Sequence, residues 1–277
     1  MAKAVISSTY DDLYLWNIPL TTWCWNKLGV DVICFLPIEK NDKEYSKIDL
    51  ALSYCNNARI TVYHFNCPKY KESTYAQCSR LYGACLDLPR EDVLIIGDVD
   101  MLNFRIPPHE NNITIWGSDL VPDGQFPMCY ATGTIPEWRG ALKLSYGTLS
   151  FEEDGIMQYH VKPYQQCLDE LLGSIEADHF RGNYWGKDQE TLWQHTKDIA
   201  IKIPRARPGT QFAENRYDRD DAFLLDRLSP ETIDYHMPRP GYEENNFNQI
   251  LTVLKYHFPQ EDFSWLVNYN EEYKKLL

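Results

Sequence analysis

Five short apolar runs recur through the first 116 residues: Ala4 to Ser7, Asp31 to Leu36, Ile60 to Phe65, Val93 to Ile96 and Ile113 to Trp116. Strands joined as hairpins need only a few residues between them. Parallel strands need a crossover of about a dozen residues or more, usually a helix. Most of the segments between these runs are long enough for such crossovers, and several carry helical signals. A helix is expected from near Asn17, with Pro19 in its first turn, to Gly29. Another is expected over residues 44–57. A third is marked by Cys78, Leu81, Tyr82 and Cys85, which fall at i, i+3, i+4 and i+7 on one helix face. Arg80 falls on the opposite face of that helix and is predicted to lie outside the core. The runs are apolar throughout rather than alternating, which marks strands covered on both sides. The pattern predicts an α/β fold with a mostly parallel central sheet and helices on both faces.

The second half is less regular. It is rich in Tyr, Trp and Gly and carries a Pro/Arg segment, KIPRARPG, and a loop-like stretch, His236 to Asn246. Beyond it, Phe247, Ile250, Leu251 and Leu254 form an apolar stripe on a predicted helix. A chain of 277 residues can bury one large core. The expected division is a single domain over 1–242, in two halves, 1–117 and 118–242, followed by a helical tail over 243–277.

The formal net charge is −13, which disfavours nucleic acid and anionic membranes as partners. An anionic ligand would need a local basic pocket or a metal ion. The opening MAKAVISSTY lacks the apolar core of a signal peptide, and no run of about 18 apolar residues suggests a membrane anchor. The eight cysteines are scattered without a CxxC pair, so a reducing, cytoplasmic setting is expected, with no disulfide framework. The seven His and eight Cys show no zinc-ligand spacing.

The sharpest local feature is VLIIGDVDMLNF, residues 93 to 104. Two carboxylates, Asp98 and Asp100, sit one residue apart directly after the fourth apolar run. In open α/β sheets, ligands bind beyond the carboxyl ends of the strands. Carboxylates at i and i+2 can both reach one hard cation, which keeps positions for a substrate's phosphate oxygens. The structural alternative is a solvated turn, where Asp is common. Aspartate-based phosphatases also place DxD after a buried strand, but they expect Thr or Val where this chain has Leu102.

The segment YAQCSRLYGACLDLPREDVLIIGDVDMLNF resembles the DXD region of nucleotide-sugar glycosyltransferases with the GT-A fold. Three further segments and a C-terminal stretch resemble that family in its order: VISSTYDDLYL, CYATGTIPEWRGAL, YWGKDQETLWQH and DYHMPRPGY. The resemblance covers roughly residues 3 to 242. It implies a Rossmann-like half over 1–117 that binds the nucleotide-sugar and a second half over 118–242 that binds the acceptor. Small soluble enzymes of this kind are encoded by bacteria and by large DNA viruses of algae, and the sequence resembles the latter.

By this resemblance, Ser8, Thr9, Tyr10, Arg80, Asp98, Val99, Asp100 and Arg239 contact the donor. Ala131, Thr132, Gly133 and Trp185 contact the acceptor, with Tyr184 beside Trp185 as a second sugar-stacking ring. Asp98, Asp100 and His236 hold Mn²⁺ or Mg²⁺, with Asp98 on either the metal or the ribose. Asp188 is the catalytic carboxylate. An inverting transfer needs such a group to take the acceptor hydroxyl's proton; a retaining transfer would use the region differently. Asp188 also suits the first turn of a helix for structural reasons alone. The implied partners are a UDP-sugar donor and a glycan acceptor. A non-catalytic sugar- or nucleotide-binding protein is the alternative. Two departures stand out: Gly97 precedes the DXD where many relatives have a larger residue, and Ala131 stands where Asn is frequent.

Overall fold

In the computed structural model the five apolar runs hydrogen-bond into one sheet. The structure describes residues 1–38, 42–68, 71–118, 123–144, 150–151, 157–158, 161–173, 186–203, 216–217, 219 and 228–277. The chain runs β1 (Ala2–Ser7), α1 (Asp12–Leu15), α2 (Ile18–Lys27), β2 (Asp31–Pro37), α3 (Asp42–Ser53), β3 (Ile60–Phe65) and α4 (Glu72–Ser79). A 3₁₀ helix (Arg80–Cys85) leads to β4 (Val93–Ile96), β5 (Met101–Asn103), β6 (Thr114–Trp116), β7 (Ala131–Thr134) and α5 (Ile135–Ala141). Then come a short pair, β8 (Ser150–Phe151) and β9 (Met157–Gln158), and α6 (Tyr164–Leu172), α7 (Lys187–Thr196) and β10 (Ile201–Ile203). The chain closes with β11 (Arg216–Tyr217), β12 (Asp234–His236), α8 (Glu244–His257) and α9 (Ser264–Lys274).

The main sheet has the order β10-β6-β7-β4-β1-β2-β3. Only β7 runs against the rest; β1, β2, β3 and β4 are mutually parallel, and β10 is parallel to β6. The fold is thus α/β with a mostly parallel seven-stranded sheet. From β1 the chain moves outward to β2 and β3, then returns to place β4 on the other side of β1. That reversal opens a crevice at the carboxyl ends of β1 and β4.

The unbroken apolar runs are explained by the packing. Val5, Ile33, Phe35, Leu94 and Ile96 enter a core on one face of the sheet. Their neighbours Ala4, Ile6, Val32, Cys34, Leu36 and Ile95 enter a core on the other. Each large side chain buried in this way contributes roughly 1.5–3 kcal/mol, so both faces resist polar residues.

The third predicted helix differs from expectation. α4 ends at Ser79 and the chain tightens into the 3₁₀ turn, with Tyr82 at φ −97°, ψ 15°. Gly83 lies against β1; a Cβ there would stand 3.2 Å from the Val5 methyls. The tighter winding changes the side-chain directions. Arg80, at the end of α4 with φ −64° and ψ −25°, is buried, only 6% exposed, because Asp98 and Asp188 meet it on the face that spacing sets outward.

A second, three-stranded sheet has the order β11-β12-β5. β12 runs antiparallel to β5, with His236 opposite Met101. The helices α8 and α9 bury Ile250, Leu254, Leu266 and Tyr269 against Trp16 and Leu20 in a third core. Val253 joins Phe247, Ile250 and Leu254 on the buried face of α8, while Leu251 is half-buried. Tyr269 stacks on Trp16 with centroids 6.0 Å apart and donates its hydroxyl to the Trp16 carbonyl at 3.1 Å. No helix among the described residues is long and apolar enough to cross a membrane.

Candidate active site

β4 stops at Ile96, and the chain turns through Gly97, Asp98, Val99 and Asp100 into β5. Gly97 still donates its N–H to the Val5 carbonyl at 3.1 Å, tying the turn to β1. Val99 is buried at 4% exposure, and its carbonyl accepts from the Thr21 hydroxyl. Asp98 and Asp100, two residues apart, both line the cavity beyond the strand ends.

Arg80 organises one side of that cavity. It donates through Nη1 to the Gly97 carbonyl at 2.9 Å and to Asp98 Oδ1. It donates through Nη2 to Asp188 Oδ2 at 2.7 Å. Asp188 lies in the first turn of α7, is 1% exposed, and uses Oδ1 to accept the Gln189 N–H at 2.8 Å. Burial works to raise the Asp98 carboxyl, but the Arg80 guanidinium, helped by His236 and Arg216, outweighs it and holds Asp98 below the usual carboxylate range. Burial likewise opposes the charge on Arg80, and the two carboxylates overcome it and push its pKa up.

Asp100 organises the other side. Its Oδ2 lies 2.9 Å from Arg219 Nη2, 3.3 Å from His236 Nε2 and 3.4 Å from Arg239 Nε. His236 arrives there because β12 pairs with β5; the Met237 N–H donates to the Asp100 carbonyl at 2.9 Å. Arg239 is held by Tyr14, whose hydroxyl accepts from its Nη1 and whose ring centroid lies 5.0 Å from the guanidinium. Three carboxylates thus face three guanidiniums and an imidazole. On a chain of net charge −13, this is a place where an anionic ligand escapes the general repulsion.

The cavity between these groups measures about 260 Å³. Ser8, Thr9, Arg80, Asp98, Val99, Asp100, Asp188, His236 and Arg239 all line it, although they come from five separate stretches of sequence. Other predicted residues lie elsewhere. Tyr10 does not line the cavity: its ring is in the core, its hydroxyl donates to the Pro37 carbonyl, and its N–H donates to Glu72 at 2.6 Å. Ala131, Thr132 and Gly133, expected beside the acceptor, form β7 inside the sheet, paired with β4 and β6. The cavity is reached instead by the residues just before that strand, Pro127, Met128 and Cys129. Tyr184 and Trp185 lie outside the described residues.

Among the lining residues not expected from the sequence are three polar side chains beside the charged groups, Tyr14, Gln189 and Arg219. Gln189 follows Asp188 directly, and Tyr14 falls within VISSTYDDLYL, so adjacency could have found both. Arg219 sits in the mixed-charge stretch NRYDRDD, which reads as a solvated loop; only the tertiary fold brings it to Asp100.

Among the described residues, no three His, Cys, Asp or Glu side chains close on one point as a metal cluster. Asp100 and His236 do converge, while Asp98 is turned to Arg80. A small hard cation that keeps substrate phosphates and waters as ligands needs only one or two protein carboxylates, and an imidazole beside one suits Mn²⁺. The donor chemistry of Asp100 and His236 fits such an ion.

Fold and site together define an α/β protein with a charge-balanced ligand cleft at the strand ends. No protein-family model matches the chain, and no curated protein matches it. Among solved structures it is similar to the glycosyltransferase GlyE of Streptococcus pneumoniae TIGR4, at 14% identity, 99% coverage of this chain and a TM-score of 0.45. The chain spans 63% of the length of that structure. It is also similar to the galactosyltransferase LgtC, solved with donor and acceptor sugar analogs, at 11% identity, full coverage of both chains and a TM-score of 0.45. The cleft itself carries the functional reading.

Proposed function

We propose that this chain is a metal-dependent glycosyltransferase that moves a hexosyl or pentosyl group from a nucleotide-sugar, a UDP-sugar in the first instance, to a hydroxyl of a glycan acceptor. The observation that supports it is the convergence, at the carboxyl ends of β1 and β4, of Asp98 and Asp100 with Arg80, Asp188, His236 and Arg239. The resemblance of the corresponding segments to GT-A glycosyltransferases gives that cluster a chemistry.

Ser8 and Thr9, at the end of β1, face the nucleoside. Asp98, oriented by Arg80, accepts from a ribose or sugar hydroxyl. Asp100 and His236 hold Mn²⁺ or Mg²⁺, which when bound stabilises negative charge on the leaving diphosphate as a Lewis acid. Arg239 and Arg219, both already beside Asp100, add positive charge for the same phosphates. Asp188, its carboxylate fixed by Arg80, takes the proton of the acceptor hydroxyl in an inverting transfer.

The test is a panel of UDP-, GDP- and ADP-sugars with Mn²⁺ and a mixed glycan acceptor. Release of UDP with formation of a glycosidic product supports the reading. Tight binding without release would make the chain a non-catalytic binder, and no binding of any nucleotide-sugar would sink the proposal.

A further inference from the structure

Cys85 and Cys167 are 82 positions apart in sequence, yet their sulfurs lie 3.7 Å from each other. Cys85 ends the 3₁₀ helix that begins at Arg80, and Cys167 lies in α6. A disulfide requires an S–S separation of about 2.05 Å, so the two sulfurs are neighbours that have still to approach each other to bond. The backbone on either side of Cys85 is anchored: Arg139 donates to the Ala84 carbonyl at 2.8 Å and to the Leu86 carbonyl at 3.1 Å.

We infer that Cys85 and Cys167 form a reversible intramolecular disulfide under mild peroxide oxidation, fastening α6 to the segment that carries Arg80.

The two sulfurs are chemically unequal. Either thiol can donate across the contact; with the proton on Cys85, the hydrogen bond favours the thiolate of Cys167 and lowers its pKa against the effect of burial, with further help from Lys162. The Cys85 thiol is pushed up by the same hydrogen bond and by burial. The thiolate is the nucleophile and its neighbour the resolving thiol, in the order Cys167 then Cys85 when the proton rests on Cys85. The Cys167 sulfur attacks the peroxide, forms an S–O bond and expels hydroxide. The Cys85 sulfur then attacks that sulfenic sulfur; the S–S bond forms, the S–O bond breaks, and the leaving hydroxide carries off the Cys85 proton as water. Two thiols lose two electrons in total, and one peroxide becomes two waters. Cys85 is half-buried and Cys167 is 4% exposed; whichever sulfur meets the peroxide takes the S–O bond and the other closes the disulfide, and the balance is the same in either order. At five other thiols burial is the largest cause of an upward shift, Cys55 to about 12 and Cys24, Cys34, Cys78 and Cys129 likewise upward, which leaves those sites inert.

The test uses the full chain, treated with a stoichiometric excess of hydrogen peroxide and digested without reduction. The expected product is a Cys85–Cys167 linked peptide, lighter than its two parts by two hydrogens and lost on adding dithiothreitol. Closing a loop of this length should raise the melting temperature by roughly 5 °C or more. The rise should reverse with dithiothreitol and be missing in both Cys85→Ala and Cys167→Ala. Two thiols that stay free, or oxidise separately to sulfinic acids, would overturn the pairing. A linked protein whose melting temperature is unchanged or lower would overturn the fastening. Neither readout depends on what the protein catalyses.

Discussion

The Arg80 guanidinium sits 2.7 Å from Asp188 across 108 positions of sequence, and the other arm of the same guanidinium reaches Asp98. One side chain therefore fixes both the strand-end turn and the first turn of α7. All three groups are largely withdrawn from water, with Arg80 at 7%, Asp188 at 2% and Asp98 at 27% side-chain exposure.

Removing the guanidinium strands two carboxylates in a poorly hydrated cleft. Arg80→Ala should cost about 3 kcal/mol or more, the range for breaking one partner of a buried pair. Urea unfolding at neutral pH measures it. A loss below about 1 kcal/mol would put the cluster in the class of surface ion pairs.

The lowered Asp98 pKa fixes a pH dependence. A carboxyl depressed in the folded state adds stability above its unfolded pKa of about 3.9. That stability is lost as pH falls through the lower folded value. The stability gap between wild type and Asp98→Asn should therefore be full at pH 6 and close progressively below pH 4. A gap that persists unchanged at pH 2 would remove the charge of Asp98 from the account.

His257 gives the opposite kind of group in a different window. It stacks on Phe104 with centroids 3.8 Å apart, and burial, aided by Arg105, pushes its pKa down to about 4. The unfolded chain takes up this proton near pH 6.5 while the folded chain does not until about 4. Its contribution to stability is present above pH 6.5 and falls as pH drops toward 4. His257→Phe should flatten the stability curve between those limits. Parallel curves for the two proteins over that window would contradict the assignment.

Much of this fold could be read from the chain because its causes are local. Val93 to Ile96 must be buried on both sides, and Gly97 with two acids must end that strand. What failed to show was anything set by packing between distant segments. The helical spacing put Arg80 on an outer face, but that face is covered by the strand-end turn and α7, whose two acids it meets. Ala131, Thr132 and Gly133 are set beside the acceptor by the resemblance of their segment alone, and the pairing with β4 and β6 puts them inside the sheet. Tyr10 follows the β1 edge of the cleft in sequence, yet the Pro37 carbonyl draws its hydroxyl into the core. Arg219 had no local signal at all.

Gly133 tests the placement of that strand. A Cβ there would lie 2.9 Å from Trp138 Nε1 and 3.1 Å from Ile113 Cγ1, both in the core. Gly133→Ala should therefore destabilise the fold by about 1–3 kcal/mol, the cost of overpacking, and leave ligand affinities of the folded protein alone. Calorimetry and nucleotide binding on the same sample separate the two effects. Normal stability with altered acceptor affinity would return Gly133 to the cleft.

The last prediction concerns Asp100 and His236, which the pairing of β12 with β5 holds 3.3 Å apart. As a cation site, the two side chains and the phosphates of a nucleotide act as one unit. EDTA should abolish UDP-sugar turnover and Mn²⁺ or Mg²⁺ should restore it. Asp100→Ala and His236→Ala should each weaken Mn²⁺ and UDP binding, and the double variant should lose little more than the worse single one. Groups that share a network are non-additive, whereas independent sites add within about 0.5 kcal/mol. Arg219→Ala serves as a contrast: it also removes a partner of Asp100, but a guanidinium cannot ligate a cation. It should weaken UDP binding while leaving Mn²⁺ affinity in the absence of nucleotide no lower than wild type. Titration calorimetry of the four variants, with and without UDP, reads all of these terms. Additive losses from Asp100→Ala and His236→Ala, or full turnover in chelator, would sink the shared site.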